Sequence, residues 1–392
     1  MDLALYLHAL GWSGTAIGAV LSGGGLIGAA LSLLVGVSSD RLRRKPFLLT
    51  YEGLSCVCAV VALLTSKTLL LGGVIILAGF GRGANGAAGP FAPAEQAWLA
   101  EAVDAAHRGF VYSLNTALGF FGMAIGALAA ALPALWKTSL GNAGSYRPLF
   151  GIVLLGNAVN LMLLLFAREQ RRSLTKPKAI QRAESADGTR RKTENRFLRD
   201  LMGLNALNGL AIGLTGPLIA YWFQQRFHVG PQLIAPAMSM TFIVTAAAAL
   251  LAGNLTRQAG LVRVVVWGRT GGFLTLLLLP LMPLYWLAAV LYVLRSALNR
   301  GTIGARQALV VSAVRDERRG LAVSLNALSV QLPQSIGPAI AGSLIGNGRL
   351  ILPFYLAAAL QGIYVFLYSR VFGPREQEIV NRTAKNDAGT GE

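Results

Sequence analysis

"RGFVYSLN" at residues 108–115 returns as "RGLAVSLN" at residues 319–326. Both copies keep Arg-Gly, three free positions, then Ser-Leu-Asn. With Arg108 laid on Arg319, Asn115 falls on Asn326, Gly126 on Gly337, Gln96 on Gln307 and Glu95 on Arg306. Upstream, "RGANGA" (82–87) resembles "RGTIGA" (300–305) once "AGPFAPA" (88–94) is treated as an insertion. An insertion of that length turns a helix by about 700°, a net change of only about −20°. Arg82 and Gln96 therefore share a face, as Arg300 and Gln307 do. "GVSSDRLRRK" (36–45) is a weaker match to "GNLTRQAGLVR" (253–263), in the same loop position. Matches in one consistent order mark an internal duplication.

The duplicated unit is made of apolar helices. Of the 392 residues, 54% are hydrophobic and 13% charged, against about 25% charged in soluble globular proteins. The mean hydropathy is +0.55. Ile152 to Ala167, Leu201 to Gln225 and Gly271 to Leu294 carry no charge. Runs near this length match a bilayer core at 1.5 Å rise per residue, and they lack the polar stripe of a soluble core helix. Eleven spans are expected, at roughly 13–37, 46–65, 68–99, 109–134, 148–167, 198–223, 231–256, 264–281, 284–314, 320–346 and 350–370. The chain reads as an all-α polytopic membrane protein. The second half has a full span, 198–223, before the one that matches 13–37. The first half has only "MDLALYLHALGW" there, so a longer native form with twelve spans is expected.

The charges orient these spans. Lys and Arg crowd the loops 40–45, 100–108, 168–199, 257–263 and 315–319 and the C-terminal tail. The intervening loops hold only Lys67, Lys137, Arg147, Arg226 and Arg349. This bias places the first set, with the central linker and the C-terminus, in the cytoplasm. The net charge of +18 thus reflects topology, and no nucleic-acid partner is expected. Trp12, Trp98, Trp136, Trp222, Trp267 and Trp286 fall near expected span ends, as interfacial anchors do. Residues 1–167 form a first bundle, 168–199 a basic linker, 200–372 a second bundle and 373–392 a tail.

"GVSSDRLRRKP" lies between two apolar spans and resembles the loop signature of the major facilitator superfamily, Gly-x-x-x-Asp-Arg-x-Gly-Arg-Arg/Lys. Gly36, Asp40, Arg41, Arg44 and Lys45 match; Arg43 stands where the family has Gly. "LAGFGRGANGAAG" resembles the family's fourth-helix motif, with Arg82 as its intramembrane arginine. The resemblance covers essentially the whole chain. It implies two six-helix bundles and secondary transport by alternating access around a midplane site. It also implies a gating latch that includes Asp40 and Arg41. A second reading of 40–45, compatible with the first, is that its charge retains the loop inside.

Intramembrane arginines are costly, at roughly 2.5–3.5 kcal/mol each near a helix centre. Arg295, Asn299, Thr302 and Arg306 form one helical stripe, and Arg300 and Gln307 a second, about 120–140° away. In the family the tenth helix lines the central cavity, so the first stripe is assigned there, with Arg82 opposite. Two readings of these arginines stand. They meet an anionic or carbonyl-rich solute through charge-assisted bonds, or they pair with Glu52, Glu95 or backbone carbonyls. Glu52 and Glu95 are the candidates for proton coupling, since burial raises a carboxyl pKa. Asn205, Asn208 and Gln331 are weaker cavity candidates. The repeat residues Arg108, Asn115, Arg300, Arg319 and Asn326 read as structural. The glycines at 23, 24, 25 and 28, and at 119, 122 and 126, are read as close helix contacts.

Gly81-Arg82-Gly83-Ala84-Asn85-Gly86 satisfies a dinucleotide-binding pattern, but the βαβ unit that pattern needs is missing. No nucleophile–base pair, metal cluster or cofactor motif is found, so no enzyme activity is expected. Expected instead is a monomeric carrier in the cytoplasmic membrane that exports a small drug-like or metabolic solute. An organic-anion permease and a non-transporting sensor are the alternatives.

Overall fold

A computed structural model describes residues 3–39, 44–78, 89–91, 94–95, 98–99, 108–167, 188–314 and 319–374. Among these, fifteen α-helices alternate with short turns: α1 (Leu3–Ala9), α2 (Gly14–Ser39), α3 (Arg44–Leu64), α4 (Thr68–Ala78), α5 (Arg108–Ala129), α6 (Pro133–Gly144), α7 (Arg147–Phe166), α8 (Gly188–Thr215), α9 (Ile219–Phe227), α10 (Pro231–Ala259), α11 (Leu261–Leu278), α12 (Tyr285–Gly301), α13 (Ile303–Ser312), α14 (Arg319–Gly346) and α15 (Leu352–Phe372). Six of them are long and apolar enough to cross a membrane, or up to eight units if each bent pair is one span. Large apolar side chains cover their outer faces: Leu64, Leu135, Phe166 and Leu250 are three-quarters exposed. Such a surface is stable only against lipid, and the chain is a multi-pass membrane protein.

Helix boundaries follow local chemistry. Proline opens α6, α7, α10 and α15 within the first two positions, where its missing N–H costs nothing. Gly260 alone separates α10 from α11 at φ 92°, a conformation that side chains disfavour. Two expected spans, 198–223 and 284–314, are broken, and the expected span 109–134 ends where the chain bends into α6. Gly216-Pro217 separates α8 from α9 at 42°, and α5 meets α6 at 61°. At Thr302 the expected span 284–314 divides into α12 and α13. Residues 188–199, expected in the linker, form the first turns of α8.

The packing carries the signature of the duplication. Helix α2 packs along α14, and α5 along α10. Within the repeat, α2 corresponds to α10 and α5 to α14. Each half therefore offers the same two helices to the other, crosswise, as a pseudo-twofold relation requires. Within the halves, α3 packs on α7, α8 on α14 and α15, and α11 on α12 and α15.

The end of the molecule remote from the linker is tightly closed. Gly14, Gly18, Ser22 and Gly25 form one stripe on α2. A Cβ on Gly14 would stand 2.7 Å from the Gly342 carbonyl oxygen, and one on Gly18 would strike the Pro338 carbonyl. Ser22 Oγ accepts the Ala339 N–H at 2.8 Å. Nearby, Gln225 Nε2 lies 3.0 Å from His8 Nε2, joining α9 to α1. Trp222, expected at an interface with lipid headgroups, is instead buried. Its ring lies 4.5 Å from that of Phe354 and its N–H donates to the Leu350 carbonyl.

Candidate functional site

A cavity of about 890 Å³ lies between the halves. Its wall takes residues from α1, α2, α3, α4, α5 and α7 on one side and from α9, α10 and α12 on the other, with the Gly216-Pro217 break between α8 and α9. The glycines of α5 create much of this space. Gly119, Gly122 and Gly126 line the cavity, and a Cβ on Gly122 or Gly126 would meet nothing within 4 Å. The sequence assigned these glycines to helix contact. Gly25 does sit in such a contact, with Ser335 Oγ 2.7 Å from a Cβ built there, and Gly23 and Gly24 stand in ordinary contact with α4.

The wall is mostly apolar, with Leu21, Met123, Met238 and Phe242 among its residues. Its polar groups are few: Tyr51, Ser55, Asn115, Asn157, Asn160, Tyr292 and Arg300. Arg300 is half-buried, and its guanidinium carbon lies 5.5 Å from the Phe242 ring centre, a cation–π distance. Behind the wall, Glu52 is wholly buried and accepts a 2.6 Å hydrogen bond from Asn160 Nδ2. Asn160 thus connects the cavity to an ionisable group.

The first arginine stripe does not line this cavity; Arg300, from the second, does. Arg295, Asn299, Thr302 and Arg306 are all buried inside the second half. Arg295 Nη2 donates to Thr215 Oγ1 at 3.0 Å, and Arg306 Nη2 to Asn205 Oδ1 at 2.8 Å. Asn299 accepts from Gln361, and Thr302 donates to the Asn299 carbonyl. The four residues share one side of the span, but that side faces α8 and α11, not the partner half. Asn205 and Asn208 are likewise spent inside, Asn205 donating to Asn326 Oδ1 and Ser329 Oγ at 2.9 Å. Gln331 is half-buried, away from the cavity, and its carbonyl accepts from Ser335.

The repeat mates Asn115 and Asn326 have diverged. Asn115 lines the cavity, whereas Asn326 joins α14 to α8. Arg108 and Arg319 begin α5 and α14. Arg44 is buried at the start of α3. Lys45 Nζ donates to the carbonyls of Leu165 and Ala167, both at 2.8 Å, at the C-terminus of α7. That end carries unpaired carbonyls and partial negative charge, so Lys45 acts as its cap. Gly36 lies in α2. Glu95 is half-buried in helical backbone. Asp40, Arg41 and Arg82 lie outside the described residues.

Sequence reasoning missed Arg269, the one intramembrane arginine of α11. It is 3% exposed and donates from Nη1 to Asn208 Oδ1 at 2.7 Å. Its signal was plain enough: a guanidinium between Trp267 and Gly271 in an otherwise apolar run. It also missed Asn157 and Asn160, which sit in an uncharged span and carry no charge to draw attention.

Known proteins share this architecture. A point mutant of the nucleoside transporter NupG aligns at TM-score 0.67 and 15% identity over 95% of this chain and 94% of its own. A D-xylose–proton symporter aligns at 0.70 and 14%, over 91% and 87%. A bacterial homolog of the human lysosomal transporter Spinster, inward-facing and unoccupied, aligns at 0.65 and 17%, over 96% of each. At these identities the likeness is one of fold. No curated protein matches the sequence. The profile of the Major Facilitator Superfamily matches residues 1–199 and 201–391, nearly the whole chain, and the protein belongs to that superfamily.

Proposed function

We propose that this protein is a secondary transporter that exports a small, largely apolar organic solute by alternating access. The observation that carries this reading is the cavity of about 890 Å³ shared by the two halves. Its size suits a drug-sized or metabolite-sized ligand, and a mainly apolar wall with a few placed polar groups is the usual composition of such sites. Leucine, methionine and aromatic side chains supply adaptable contact. Asn115, Asn157 and Asn160 supply neutral hydrogen bonds, which suit an uncharged or weakly polar solute better than an ion. The nucleoside transporter and the xylose symporter are by name carriers of small solutes, in keeping with this class.

The linker end is assigned to the cytoplasm on the charge bias, and the closed far end to the outside. Glu52 is the proton-coupling group in this scheme, because it is a buried carboxyl linked through Asn160 to the cavity. The organic-anion reading rests on Arg300 alone, since no other described arginine lines the wall.

The test is reconstitution into proteoliposomes loaded with candidate solutes, followed by counterflow under an imposed pH gradient. Accelerated efflux of a neutral, amphiphilic compound, inhibited by Gly122→Leu, is the expected result. Selective movement of organic anions that is lost in Arg300→Gln would favour the second reading. A compound that binds yet gives no counterflow would replace both with a sensor.

A further inference from the structure

We propose that the second half holds a resident small inorganic anion, of the chloride class, seated on Arg269 between α8, α11 and α13. The site is separate from the solute cavity, and it stands whatever solute is carried and in whichever direction. Arg269, Arg295 and Arg306 are each more than nine-tenths buried. They donate to Asn208, Thr215 and Asn205, one stripe of α8 at i+3, i+10 and i. All three partners are neutral. No carboxylate among the described residues lies within ion-pair distance of any of these arginines.

The hydrogen-bonding balance points the same way. The Nε atoms of all three arginines and Nδ2 of Asn208 are buried and find no protein acceptor. Each of these atoms is a donor. Of the acceptors nearby, the Asn299 side-chain oxygen and the Arg269 carbonyl already accept from Gln361 Nε2 at 3.1 and 2.9 Å. The Tyr364 hydroxyl, whose ring lies 5.6 Å from the Arg269 guanidinium, is buried with no hydrogen-bond partner and as a hydroxyl can also donate to an anion. Arg269 feels the positive charges of both Arg306 and Arg295, and guanidinium cannot shed its proton to relieve this. Buried charge without a counter-charge is unfavourable in a low dielectric. A water molecule would satisfy donors but leave the charge. A small anion supplies both acceptor and charge, and a compact one suits a site enclosed by packed helices. Arg269 is central because it bonds directly to Asn208 and feels the charge of both other arginines.

The experiment follows thermal unfolding of the purified full chain in detergent at constant pH and ionic strength. Sodium gluconate is exchanged stepwise for sodium chloride. A saturable rise of several degrees in midpoint is expected, since a ligand of the native state stabilises by mass action. Bromide should substitute for chloride. Arg269→Gln should abolish the rise, whereas Arg349→Gln, at an exposed arginine in the turn after α14, should keep it. Equal midpoints in gluconate and chloride would overturn the proposal, as would an undiminished rise in Arg269→Gln. Should that variant fail to fold, bromide-soaked crystals of the unaltered chain decide. An anomalous peak beside Arg269 supports the site, and its absence at saturating bromide rejects it.

Discussion

Single residues show how the same chemical type is put to different uses. Arg300 faces the cavity while Arg295, five positions earlier, is spent on Thr215. Glu52 was legible as a buried acid, but its partner Asn160 lies 108 positions away. Replacing Glu52 with Gln should remove proton-driven transport while leaving solute exchange intact, because the amide keeps a hydrogen bond to Asn160 but cannot carry charge. Flux measured with and without a pH gradient would check this; a Gln variant that still concentrates solute against its gradient would remove Glu52 from the mechanism. Lys45 offers a second test. It caps α7 with two charge-assisted bonds, one exposed and one partly buried. Lys45→Ala should therefore destabilise by about 1 kcal/mol, with most of the loss recovered in Lys45→Arg, read as detergent unfolding midpoints.

Helices are where glycine separates into two roles. On α2 it removes side chains so that α14 can approach, and on α5 it removes them to leave space. Sequence shows the same residue in both cases, and only the neighbour across the gap distinguishes them. Gly18→Val should force α2 off the Pro338 carbonyl and cost about 1–3 kcal/mol as overpacking. Gly122→Val should leave the unfolding midpoint nearly unchanged and instead reduce solute binding, since the added methyls enter the cavity. Equal destabilisation by both substitutions, measured by thermal unfolding, would contradict this division. The breaks at Gly216-Pro217 and Thr302 belong to the same scale. The Gly-Pro pair is a helix breaker that the expected span 198–223 runs through, and at the second break Gly301, directly before Thr302, is a weaker local signal.

At the level of the whole molecule, the crosswise pairing of α2 with α14 and of α5 with α10 makes each interface the counterpart of the other. The far end is closed by the α2 stripe and by the His8 to Gln225 contact, so transport by alternating access requires these contacts to part. A disulfide between Ser22→Cys and Ala339→Cys, placed where Ser22 Oγ already meets the Ala339 N–H at 2.8 Å, should lock that end. With Cys56 and Cys58 replaced, oxidation should stop counterflow and reduction should restore it. Unimpaired flux in the fully cross-linked protein would show that this end does not open during the cycle.

The order of amino acids alone carries the membrane class, the two related halves and the approximate spans. These depend on properties that add along the chain: apolar length against bilayer thickness, loop charge and a repeated register. It also identifies which polar side chains on the span 284–314 are neighbours, because helical periodicity is local. The direction in which that stripe faces comes from three-dimensional packing. Rotation of that span about its axis is set by its contacts with α8 and α11, where Asn205 and Thr215 of α8 offer hydrogen bonds that lipid cannot. The same limit hid Asn160 and Arg269, whose importance lies entirely in partners distant along the chain.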